Sequence, residues 1–123
     1  MQERQARLDA FEARTQRFSI GILKLLGAQP WAASVVRVTQ QLAGSATSVS
    51  ANHRAVRRAR SNKEFAAKLQ VVNEEIDETV HWLELLAATG TCRSSHDLAA
   101  LLAEARQLRA MFAKARKTTR ELL

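Results

Sequence analysis

Apolar residues recur every three or four positions along most of the chain, a spacing that gathers them on one face of an α-helix. In the first stretch they are Leu8, Phe11, Phe18, Ile22 and Leu25, with Thr15 in the remaining seam position. A later stretch carries Phe65, Leu69, Val72, Ile76, Val80, Leu83 and Ala87. The last carries Leu98, Leu101, Ala105, Leu108, Phe112 and Ala115. Three interruptions separate the segments: Gly27 to Pro30, Ser61-Asn62, and Gly90 to Ser95. Ser61-Asn62-Lys63-Glu64 reads as a capping box, and Ser94 with Asp97 as a looser version of it. The pattern predicts four helices, about 3–27, 31–60, 62–89 and 95–121, within a single domain spanning 1–123. Each repeat is close to a heptad, and connections this short make consecutive helices antiparallel neighbours. The expected fold is all-α, an up-down-up-down antiparallel four-helix bundle.

The second helix departs from the pattern. Its expected seam is Val35, Val38, Leu42, Ser45, Val49, Asn52 and Val56, so two positions are polar. The flanking residues Ala43 to Ala46 and Ser48 to Ala51 are nearly all small, and Gly44 inside a helix costs about 1 kcal/mol relative to Ala. Two compatible readings follow. Small side chains let another helix come close, with Asn52 satisfied by a local hydrogen bond. Alternatively, Gly44, Ser45 and Asn52 form a subunit contact in which Asn52 fixes register. On the third helix, Val71, Trp82, Leu85 and Leu86 lie beside the main seam and widen its apolar face. Assembly is one way to bury that width, which adds Trp82 to the expected oligomer contact; ordinary core packing is the other.

Composition agrees with helix: Ala occurs 22 times and Leu 15 times, against four Gly and one Pro. With 46% apolar residues the chain is not a disordered tail. The single cysteine, Cys92, excludes an intramolecular disulfide framework. The charged start MQERQARLDAFEAR lacks the apolar core of a secretory signal, and Leu98 to Ala103, the longest apolar run, is too short to span a bilayer. A soluble cytoplasmic protein without membrane contact is expected. Glu78-Thr79-Val80-His81 has the Glu-x-x-His spacing of di-iron bundles, but such sites need a second copy of the step, and none exists. Cys92 adjoins Arg93 without a nucleophile–base constellation, and the isolated His53 and His96 read as surface or capping residues. There is no Gly-rich phosphate loop. No enzyme, cofactor or metal is expected.

Charge changes the picture most. Lys plus Arg number 19 and Asp plus Glu number 12, a formal net charge of +7. Cutting the four helices at their midpoints puts 14 basic and seven acidic residues in the half holding the termini and the second turn, and five of each in the other half. The excess therefore belongs to one pole. Its densest run is Arg54, Arg57, Arg58, Arg60 and Lys63, and the antiparallel fold brings Arg109, Lys114, Arg116, Lys117 and Arg120 beside it. Cations are favoured at the C-termini of helices, and a charged surface aids solubility, so a solvated pole is the plain reading. Clustered Arg and Lys are also the footprint of phosphate contact. Phe11, Phe65 and Phe112 belong to the seams, which disfavours recognition of bases by stacking. Contact with a structured RNA backbone through eight of these cations, Arg54, Arg57, Arg58, Arg60 and Lys63 with Arg116, Lys117 and Arg120 in support, fits the pattern better. A protein scaffold whose charge serves steering is the second reading.

The stretch from Gln41 to Gly90 resembles the family of bacterial four-helix-bundle proteins, some of them encoded in intervening sequences of large-subunit ribosomal RNA genes. The matching residues include Ser45-Ala46-Thr47-Ser48-Val49, Ala51-Asn52, Arg54, Ala59, Ser61, Glu64-Phe65, Lys68-Leu69, Glu75, Glu78-Thr79 and Trp82-Leu83-Glu84-Leu85-Leu86. The resemblance implies a bacterial origin, this fold and a ring-shaped homopentamer. It also links the chain to the basic accessory proteins of diversity-generating retroelements, which contact nucleic acid and a reverse transcriptase. The chain departs from the family pattern at His53, where an aromatic or aliphatic residue is usual, and at Val49-Ser50 before Ala51. No catalytic residue carries over.

Overall fold

The structure, a computed structural model describing residues 1–122, contains four helices: α1 (Gln2–Gly27), α2 (Ala33–Arg57), α3 (Asn62–Thr89) and α4 (Ser95–Leu122). Adjacent helices pack in chain order and α1 closes the bundle against α4. Local chemistry sets the ends. Ser61 takes an extended backbone (φ −152°, ψ 161°) and its hydroxyl accepts the Glu64 N–H at 3.0 Å, the bond expected of the capping box. Gly90 ends α3 at φ 67°, a left-handed conformation that costs glycine little.

The second helix is shorter than its pattern predicts, at both ends. Trp31 lies before it, and the indole N–H donates to the Leu26 carbonyl at 2.9 Å. At the other end the backbone turns at Arg58, and Ala59 and Arg60 lie outside the helix. The extended cap at Ser61 needs a turn before it, so α2 gives up its last residues to start α3.

The core is one cluster drawn from all four helices. Ile22, Leu42, Val49, Ile76, Leu83, Leu86 and Leu108 are fully enclosed, and Phe112 is 1% exposed. Two seams differ from their heptad reading. On α2 the inward residues are Val35, Thr39, Leu42, Ser45, Ala46, Val49, His53 and Val56, while Val38 and Asn52 are only half-buried. On α3 Leu86 is buried and Ala87 exposed. A straight helix turns every 3.6 residues, so a strict heptad drifts off the buried face over several turns.

Small residues on α2 serve the interior. The Thr79 hydroxyl lies 2.9 Å from Ser45 Oγ, across the closest of the helix interfaces, α2 against α3. Ser19 Oγ donates to the Ala46 carbonyl at 2.7 Å and lies 2.8 Å from Ser50 Oγ. Close approach and satisfied hydroxyls go together, because a buried polar group without a partner costs about 1–3 kcal/mol.

Candidate nucleic-acid interface

Side-chain pairs between helices define the poles. Thr15 meets His53, Arg57 reaches Asp9 and Glu12, and the Asn73 amide donates to the Phe112 carbonyl. The start of α1, the end of α2, the 58–61 turn, the start of α3 and the end of α4 therefore share one pole. At the opposite pole Gln29 ties the two remaining loops together: its amide donates to the Thr91 carbonyl at 3.1 Å, and its Oε1 accepts the Arg93 N–H at 2.7 Å.

The eight cations singled out in the sequence all lie at the first pole, on different faces and in different states. Arg54 and Arg58 line the groove between α1 and α2 with Gln16, Ser50 and Glu12, whose carboxylate is held by Arg57 at 3.0 Å. Arg116 and Arg120 line the groove between α3 and α4, against Ala66, Ala67 and Gln70. Lys63 and Lys117 are exposed. Among the described residues none of these six has a carboxylate within ion-pair distance. Arg57 differs: its guanidinium binds Asp9 at 2.8 Å and Glu12 at 3.0 Å, with only 16% of the side chain exposed. Its hydrogen bond holds the Asp9 carboxyl below the usual carboxylate range. Arg60 reaches Glu64 at 4.0 Å across a helix start and is 91% exposed, a loose pair that leaves its charge in solvent. Arg57 is thus a strut between α1 and α2, which removes it from the set of free cations.

His53 overturns its surface reading. It is 4% exposed, with its ring 4.5 Å from Phe11 and 5.0 Å from Phe112, centroid to centroid. Nδ1 lies 2.9 Å from the Thr15 hydroxyl, which itself donates to the Glu12 carbonyl. The neutral imidazole therefore donates through Nδ1. Burial pushes its pKa down to about 4, with Glu12 opposing the shift and Arg57 adding to it. The ring acts as a core aromatic beneath the basic pole.

The residues expected at a subunit contact divide. Ser45 faces inward at 4% exposure, already bonded to Thr79, and is closed to a second chain. Asn52 donates to the Ser48 carbonyl and lies 2.9 Å from Ser48 Oγ, the local bond expected of it. Gly44 is exposed, and a Cβ there would meet nothing within 4 Å. Trp82 is half-buried, with its indole N–H enclosed and without an acceptor among the described residues. On the same helix Val71 and Leu85 are 37% and 40% exposed, whereas Leu86 belongs to the core. Glu75 is half-buried on the same helix, and desolvation together with Glu78 and Glu74 raises its pKa.

Glu78, His81 and His96 are exposed and Cys92 packs into the core. Among the described residues no cluster of three or more His, Cys, Asp or Glu could hold a metal ion. No described helix is long and apolar enough to cross a membrane.

The profile described as 23S rRNA-intervening sequence protein matches residues 9–114. The chain belongs to that family. The crystal structure of a protein of unknown function from the S23 ribosomal protein family of Bacteroides thetaiotaomicron has the same fold. The two superpose with a TM-score of 0.74 at 22% identity, over 87% of this chain and 98% of that one. Comparison with curated proteins gives no match.

Sequence reasoning missed part of the pole in this family member. Arg4 and Arg7, with the already expected Lys114, rim a groove floored by Leu8, Phe11, Phe65 and Met111. The signal was available: the apolar seams of α1 and α4 reach Leu8 and Ala115, near the pole, whereas turn chemistry at Ser61 requires α2 to stop early.

Proposed function

We propose that this family member is a non-catalytic, self-associating bundle that contacts structured RNA through its basic pole, with ribosomal RNA the first candidate. Arg54, Arg58, Lys63, Arg116, Lys117 and Arg120 would hold backbone phosphates, with Arg60 in support. The observation that carries this reading is the gathering, at one end, of cations that no carboxylate neutralises among the described residues. Such groups are free to release counterions from a polyanion, which supplies most of the non-specific affinity for nucleic acid. Their placement on several faces suits a folded RNA that wraps the pole. Reversing two of these charges, Arg58→Glu with Arg116→Glu, should weaken binding to a ribosomal RNA hairpin by about tenfold or more. Arg93→Glu at the other pole should leave it unchanged. Equal loss from both changes would refute the assignment of the pole.

Self-association has its own support in Ile20, Leu23, Val71 and Leu85, which are 46%, 48%, 37% and 40% exposed. The homopentamer implied by the family resemblance is the particle expected, and its mass in solution tests this. The same exposed residues support the alternative of a protein scaffold. Capture of a partner that survives nuclease and high salt would favour it.

A further inference from the structure

At the basic pole the first turns of α1 and the last turns of α4 enclose a groove of about 900 Å³, closed on its third side by the start of α3. Its opening has a structural cause. α2 ends at Arg57 and contributes no residue to the lining, and α1 against α4 is the loosest of the adjacent helix pairs. Apolar side chains that a longer α2 would have covered are left accessible. Phe11 is braced from behind by His53 and by Phe112, 4.8 Å away, and Phe65 packs on the core while remaining partly exposed. The floor is apolar and the rim is cationic. Among the described residues no acidic side chain lines the groove, and Arg4, Arg7 and Lys114 have no carboxylate within ion-pair distance.

We propose that this groove takes an unpaired nucleotide of the bound RNA, with its base against Phe65 and Phe11 and its phosphates on Arg4, Arg7 and Lys114. The inference rests on the RNA reading above and adds a substrate class to it. A continuous duplex offers only phosphates and sugar edges, for which an apolar floor has no use. A bulged or looped-out base offers a flat face that aromatic rings desolvate and stack upon. Asn62, exposed at the groove's edge, brings an amide able to meet the polar edge of a base. The expectation that stacking is disfavoured assumed that the core enclosed every aromatic ring at this end. The early stop of α2 removes that assumption for Phe65.

Two RNA hairpins closed by the same compact, internally stacked tetraloop and identical except for one bulged 2-aminopurine in the stem separate the possibilities when titrated with the full chain. The bulged hairpin should bind about tenfold more tightly, with the emission of the 2-aminopurine quenched as it stacks. Phe65→Leu should abolish the preference and leave affinity for the paired hairpin unchanged. Arg7→Gln, at an exposed position, should reduce the preference without altering the fold. Equal affinity for both hairpins with unaltered emission would overturn this inference and leave the RNA reading in place. A preference that survives both substitutions would overturn it as well. So would an acidic amphipathic peptide that fills the groove while the bulged RNA stays bound and quenched. Binding of neither hairpin would remove the RNA reading itself.

Discussion

The two poles of the bundle are built from the same helices and differ in almost every other respect. At the pole holding the loops after α1 and α3, Gln29 bonds to Thr91 and Arg93 and joins the connections into one cap. Charges balance there. At the other pole α2 stops short, most of the cations are unpaired, and a groove opens onto Phe65 and Met111. One end is finished as structure; the other is left with charge and apolar surface that the fold does not consume. Unspent groups of that kind are where a ligand gains more than solvent does.

The aromatic trio beneath the basic pole carries the largest expected effect. Phe112→Ala removes a side chain that is 1% exposed and touches the rings of both Phe11 and His53, and should destabilise the chain by about 3–5 kcal/mol in urea unfolding. A loss below about 1 kcal/mol would mean that the pole is held by other contacts.

Second is the pH response of the same trio. The pKa of His53 is about 4 in the folded chain against 6.5 as its ordinary value, so the unfolded chain takes up the proton first. This contribution is fully present above pH 6.5 and is lost as pH falls towards 4, amounting to about 3 kcal/mol at the end of that range. His53→Leu should flatten that part of the stability–pH curve, because the Thr15 hydroxyl keeps its bond to the Glu12 carbonyl. An unchanged slope in the variant would contradict the burial argument.

Arg57 and Arg58, neighbours in sequence, then sharpen the contrast between structural and free charge. Arg57→Gln breaks two ion pairs to α1 and should lower the unfolding midpoint while leaving RNA affinity nearly as it was. Arg58→Gln should do the reverse, changing stability by less than about 0.5 kcal/mol and weakening RNA binding. The smallest effect belongs to the finished pole, where Gln29→Ala should cost about 1 kcal/mol or less by freeing the loops from one another.

The helices and their order were legible because the apolar spacing, the Ser61 cap and the Gly90 stop all agree. Errors fell where a single residue decides between two faces. Asn52 and His53 are adjacent, and a strict heptad chooses Asn52; the accumulated turn of the helix brings His53 inward. Of the two readings of Ser45, close approach of another helix is the one the structure shows, and the partner that decides it, Thr79, lies on α3, out of reach of the pattern along α2. For the basic pole, the convergence of cations follows from topology alone. The state of each cation does not: whether Arg57 is free depends on Asp9 and Glu12, 48 and 45 residues away in the chain. The groove was hidden for a similar reason, since only the observed end of α2 uncovers it.

The central claim is that free cations at the terminal pole contact RNA phosphates, and the salt dependence of binding tests it most directly. For a structured ribosomal RNA hairpin, affinity should fall by about 10³-fold or more between about 50 and 200 mM salt if six contacts form. The dependence should become shallower by about one unit on a log–log plot for each of Arg58, Arg116 and Lys117 replaced by Gln. Affinity that stays level across that range, or a dependence those replacements leave untouched, would contradict the account.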